Sequence, residues 1–69
     1  MNRNQLEGTW KEIRGRVREQ WGRLTDDDLD VIDGKFDQLV GTVQNRYGIA
    51  KEEAERSVRE WWHRLTVEG

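Results

Sequence analysis

Cysteine and proline are both absent from the 69 residues, and hydrophobic residues make up only 33% of them. Without cysteine there is neither a disulfide framework nor a thiolate metal site, so a small domain must be held by packing alone. Without proline, and with charged residues at 38%, the composition favours helix over sheet. Glu, Lys and Arg are good helix formers and poor strand formers. Long apolar runs are missing, which excludes a membrane-spanning helix, and no signal-peptide pattern opens the chain. A cytoplasmic location is the default expectation. Serine occurs once, at Ser57, and histidine once, at His63. Nucleophilic and metal-dependent catalysis lack their parts, so no enzyme, no cofactor and no catalytic or metal-ligating residue is expected. His63 falls near a helix C-terminus, where an imidazole suits the dipole.

What is present is written twice. "GTWKEIRGRVREQWG" (residues 8–22) aligns with "GKFDQLVGTVQNRYG" (residues 34–48) at an offset of 26, matching three glycines and a valine. Trp10 then meets Phe36, Ile13 meets Leu39 and Trp21 meets Tyr47. Each unit reads as a long helix, a glycine stop and an acidic helix start. Leu6, Trp10, Ile13, Val17, Trp21 and Leu24 step by four or three, as one face of a helix does. Leu29 and Ile32, then Phe36, Leu39, Val40, Val43 and Tyr47, continue the pattern. Ala54, Val58, Trp61, Trp62 and Leu65 form the last stripe. The spacing predicts helices over roughly 4–21, 26–33, 35–47 and 51–65, with left-handed stops at Gly22, Gly34 and Gly48. The expected fold is all-α: four helices as two packed, roughly orthogonal helical hairpins from an internal duplication, with no β-sheet. It is one small domain over 1–69, with repeat units at approximately 8–33 and 34–65.

The charge layout is uneven. Residues 1–23 carry six bases against three acids, and residues 24–37 carry six aspartates against Lys35. The acidic run "LTDDDLDVIDGK" reads first as a helix start. Thr25 is placed at the N-cap, Asp26, Asp27 and Asp28 fill the first turn beside unpaired N–H groups, and Asp28 can close a capping box. Leu24 and Leu29 have the spacing of a hydrophobic staple. A calcium loop would need glycine at its sixth position and glutamate at its twelfth. Counted from Asp26 or Asp28, those positions hold Val31 or Asp33 and Asp37 or Leu39. Both registers fail.

The basic first helix raises nucleic acid as a partner. Yet Glu7 with Lys11, Glu12 with Arg16 and Glu19 with Arg23 are spaced i,i+4, acid first, and the last helix repeats the scheme with Glu52 and Arg56, Glu55 and Arg59, and Glu60 and Arg64. In the basic first helix, Arg3, Arg14 and Arg18 stay outside it. Phosphate neutralisation calls for several free cations, so nucleic-acid binding is disfavoured. Four glycines, Gly8, Gly15, Gly34 and Gly41, lie about 140–160° round the helix from Trp10 and Phe36 and so point away from the apolar stripe. They imply either a surface where another backbone approaches, or helices kept deliberately weak. Trp61 and Trp62 straddle the last stripe, and one exposed indole would mark an interaction edge.

"GTWKEIRGRVREQWGRLTDDDL", "IDGKFDQLVGTVQNRYG" and "KEEAERSVREWW" together resemble the CsbD-like bacterial general stress response family, over nearly the whole chain. The resemblance implies a cytosolic bacterial protein induced by stress and a small helical fold of two crossed hairpins. It brings no catalytic or ligand residues to carry over. Ala50 departs from the better caps expected before the last helix, and Trp62 adds an aromatic beside Trp61. Two functions are therefore expected to compete. One is a non-enzymatic, hydrophilic protectant. The alternative is a binding module that engages itself, a protein partner or nucleic acid through Arg3, Arg14 and Arg18, through the glycine face at Gly15 and Gly41, or through the edge at Trp61 and Trp62.

Overall fold

In the computed structural model the backbone is described for residues 3–68 and side chains for residues 6–66. Four helices follow one another: α1 (Arg3–Gln20), α2 (Asp26–Ile32), α3 (Phe36–Tyr47) and α4 (Lys51–Glu68). No strand occurs among the described residues. All four lie within three residues of the boundaries that the apolar spacing predicts.

Two of the three stops are left-handed, as expected. Gly48 closes α3 at φ 62° and gives its N–H to the Gln44 carbonyl. At the end of α2 the cap is Asp33 itself, at φ 44°, with Gly34 following at φ 78°. Aspartate tolerates this region better than most residues. Gly22 is the exception: it has no positive φ. The chain instead leaves α1 through hydrogen bonds from Trp21 N–H to the Val17 carbonyl (2.8 Å) and from Leu24 N–H to the Trp21 carbonyl (3.1 Å). That turn needs no left-handed residue.

The stripes meet in one core. Leu6, Trp10, Val17 and Trp21 from the first stripe are buried with Leu29 and Ile32, with Phe36, Leu39, Val40 and Val43, and with Ala54, Val58, Trp61 and Trp62. Each buried Val, Leu, Ile or Phe side chain among them contributes about 1.5–3 kcal/mol of gross burial. Trp61 and Trp62 are each only 6% exposed, so the proposed indole edge is not on the surface. The 100° between them is absorbed because the α4 stripe is covered on two sides. Trp21 meets Trp61 edge-on, with centroids 5.2 Å apart, and Trp62 lies 6.2 Å from Trp61.

Gly34 also departs from expectation. It is buried, and a Cβ there would stand 2.8 Å from the Glu7 Cα and 3.1 Å from the Trp10 Cβ. The wheel that placed it outside assumed a helical Gly34, whereas it lies in the left-handed turn between α2 and α3. Here the turn seats α1. Gly8, Gly15 and Gly41 do face open space, with nothing within 4 Å of an added Cβ.

Candidate functional site

Among the described residues, the start of α2 gathers a dense set of hydrogen bonds and ion pairs. Thr25, extended at φ −94° and ψ 167°, is the N-cap. Its Oγ1 accepts the Asp28 N–H at 3.1 Å, and Asp28 Oδ2 accepts the Thr25 N–H at 3.0 Å. The capping box is complete, and Leu24 and Leu29 on either side are buried. Three orphan needs of a helix start, namely a side-chain acceptor, a negative charge and an apolar clasp, are met by six consecutive residues.

The same aspartates reach across to neighbouring helices. Arg46 on α3 donates from Nε to Asp28 Oδ2 at 2.9 Å and from Nη2 to Asp28 Oδ1 at 2.8 Å. This fork geometry is the strongest form of the arginine–carboxylate contact. It holds the Asp28 carboxyl at about 2, below its ordinary value, chiefly through the Arg46 hydrogen bonds and next through the Thr25 backbone N–H. The Arg46 guanidinium is pushed up in return. On the other side, Arg14 Nη1 lies 3.1 Å from Asp30 Oδ1, and Arg18 pairs with Asp26. The two α1 arginines are four apart and so are their aspartates, in opposite chain order. Nearby, the Arg23 N–H donates to the Tyr47 hydroxyl at 3.2 Å, and the Arg23 guanidinium lies 5.3 Å from the Tyr47 ring centre. The α1–α2 connection is thereby pinned to the end of α3.

These contacts change the standing of the basic helix. Arg14 and Arg18, the described cations of α1 left over by the i,i+4 scheme, are both engaged by α2; the Arg3 side chain lies outside the described residues. Of the six i,i+4 pairs, Glu55 with Arg59, at 3.9 Å, is the one in contact among the described residues. Helix-to-helix partners won for Arg14 and Arg18. Reading each helix alone missed Arg46, Asp26, Asp28, Asp30 and Tyr47 as partners. The signal available was the matching four-residue spacing of Arg14 and Arg18 with Asp26 and Asp30.

No group of three or more His, Cys, Asp or Glu among the described residues could hold a metal ion. The described surface includes shallow features. A groove of about 800 Å³ runs between α1 and the end of α4, floored by Ile13, Trp61 and Leu65 and rimmed by Glu12, Arg16, Glu19 and Arg64. A smaller hollow of about 420 Å³ is lined by Gly41, Gln44, Asn45, Gly48 and Ile49. Gly15 and Gly41 sit on different helices, and neither meets Trp61 or Trp62 in a common site. Neither feature sets a nucleophile beside a base. No described helix is long and apolar enough to cross a membrane.

A small all-helical protein whose acids clamp its own helices, with no catalytic constellation among the described residues, is the class that the geometry defines. Sequence comparison narrows it. The CsbD-like family model matches residues 4–56, and the chain belongs to that family. A UPF0337 protein of Pectobacterium atrosepticum is 59% identical over 61 residues, 88% of each chain. The UPF0337 protein YjbJ of Escherichia coli is 54% identical over 61 residues, again 88% of each. A UPF0337 protein of Nitrosomonas europaea is 54% identical over 63 residues, which span 91% of this chain and 67% of that one.

Proposed function

We propose that this is a non-enzymatic bacterial stress-response protein of the cytoplasm that acts as a hydrophilic protectant of other macromolecules. One observation carries the reading: among the described residues the surface exposes almost no large apolar side chain. Val31 is the one large hydrophobic side chain exposed among the described residues, and the most prominent acidic cluster is spent on Arg14, Arg18 and Arg46. A surface of this kind stays soluble at high concentration and keeps water and charge between neighbours. The same reading takes the architecture as two helix-plus-cap units from a duplication. The opposed order of the Arg14 and Asp30 and the Arg18 and Asp26 pairs supports an antiparallel α1 and α2. The test is protection of a desiccation-labile enzyme through drying and freezing at comparable mass ratio. Recovery above that given by an inert control protein is expected; recovery equal to the control would refute the reading.

A second reading, self-association, is favoured by the open Gly8, Gly15 and Gly41, which would let a second backbone approach closely. Sedimentation at high concentration tests it. A concentration-dependent mass that Gly15→Leu with Gly41→Leu abolishes is its expected result, and a monomer throughout would remove it.

A further inference from the structure

On the outward faces of α1, α2 and α4 charge is dense: Lys11, Glu12 and Glu19, then Asp27 and Asp30, then Arg56, Glu60 and Arg64 are all exposed. The outward face of α3 is different. Opposite the buried Phe36, Leu39, Val40 and Val43 stand Gln38, Gly41, Thr42 and Asn45, all without charge. Counting 100° per residue, Gln38 and Asn45 are about 20° apart at the centre of that face, while Asp37 and Arg46 lie about 80–100° to either side. Arg46 is already engaged by Asp28. Thr42 turns its hydroxyl back to the Gln38 backbone carbonyl at 2.7 Å. The Gln38 and Asn45 side-chain amides are exposed and meet no partner among the described residues. Asn45 also walls the hollow of about 420 Å³ that Gly41, Gln44, Gly48 and Ile49 complete.

We propose that this face docks a second copy of the chain, with two α3 helices lying antiparallel. The proposal rests on the self-association reading and names its interface. Charge selects the occupant. A charged partner would leave its charges unpaired against a neutral face, at a desolvation cost, whereas a second α3 brings none to the centre of the contact. An amide is donor and acceptor at once, so Gln38 and Asn45 are complementary to amides of their own kind. Position along the helix selects the direction. A two-fold axis at the level of Gly41 and Thr42, the middle of α3, brings Gln38 of one copy level with the partner's Asn45, twice by symmetry. Gln38 is then a knob at the rim of the partner's hollow. A parallel pair would set Gln38 against Gln38, about two turns from either hollow. With 12 residues in α3, the contact is about 18 Å long, at the small, transient end of interface sizes. Association therefore belongs at high concentration.

Sedimentation equilibrium of the full chain, up to about 1 mM, reads the association. Two double variants place charge at the same exposed positions. Gln38→Lys with Asn45→Glu sets each lysine level with a glutamate of the partner and should tighten association by about fivefold. Gln38→Lys with Asn45→Lys sets like charges level and should weaken it by at least about fivefold, more at low salt. The two positions are too far apart to meet on their own helix, so the variants differ between copies and not within one. Gly15→Lys, on the outward face of α1, should leave association unaltered.

Association weakened by both double variants would overturn the antiparallel pairing, because a parallel pair sets like charges level in each. Association that neither shifts, or that Gly15→Lys abolishes, would overturn the assignment to α3 and leave self-association standing. A wild-type protein that stays monomeric throughout would overturn the self-association reading, and the interface with it.

Discussion

Adding one methyl group at each of three glycines separates the contributions that the structure assigns to them. Gly34→Ala meets two costs. Its φ of 78° lies where an L side chain loses about 1–2 kcal/mol, and the new Cβ would stand 2.8 Å from the Glu7 Cα. That neighbour is backbone and cannot rotate aside, so α1 must move, at an overpacking cost of about 1–3 kcal/mol. The lower entropy of the unfolded alanine chain returns about 0.4–1 kcal/mol. The expected net loss is about 2–4 kcal/mol, a large share of the stability of so small a domain. Gly48→Ala carries the conformational cost at φ 62° but meets nothing within 4 Å, so it should lose about 1 kcal/mol. Gly15→Ala has neither cost and should gain about 1 kcal/mol through helix propensity. Urea unfolding followed by tryptophan fluorescence reads all three as midpoint shifts at constant slope. Equal losses at Gly34 and Gly48 would refute the close seating of α1 on the α2–α3 turn.

Two further predictions concern charge. The Asp28 carboxyl is held at about 2, below the value near 3.9 of the unfolded chain. Its stabilisation is therefore complete above about pH 4–5 and is lost as the pH falls toward about 2. The full shift corresponds to about 2.5 kcal/mol, and solvent screening around this surface pair reduces it to about 1–1.5 kcal/mol. Asp28→Asn should lose that amount at pH 7 and flatten the acid limb of the stability curve; an unchanged limb would contradict the clamp. Reversing charge at Arg14 and Arg18 together should destabilise by about 1–2 kcal/mol, less at high salt, because each then faces an aspartate. Wild type should show no low-salt gel retardation of duplex DNA, and retention would restore the basic helix as an interface.

How much of this was legible without coordinates follows from the range of each interaction. The helices, the Thr25 cap with Asp28 and the stop at Gly48 are local, set within four residues by spacing and chain stereochemistry, and the sequence pattern was enough for them. Membership of the core was readable from the stripes because burial depends on one angular coordinate. Some misses were local, such as the left-handed stop expected at Gly22; others were not. Trp61 and Trp62 were read as straddling the stripe, with an exposed indole as one alternative, because one helix alone does not reveal how many sides of its stripe are covered. Gly34 was placed outside because its turn was counted as helix. Arg14 and Arg18 were taken as spare because their partners, Asp30 and Asp26, lie 16 and 8 residues away and depend on how α1 and α2 pack.

That last error explains why the acidic run looks like a ligand site. α2 has only seven residues, too few for a helix to be stable by itself in water. It must be tied to both neighbours. Asp26 and Asp30 lie about 40° apart on the helix surface, while Asp28 stands about 160–200° from each. A short helix with acids at these three positions therefore presents negative charge on opposite sides. One side meets Arg14 and Arg18 of α1, and the other meets Arg46 of α3. Along the chain the charges are segregated, basic then acidic; in space they are interleaved. The density that suggests a cation site is what a two-turn helix needs to hold two neighbours at once. A metal ion would have to displace the guanidiniums that already fill those oxygens.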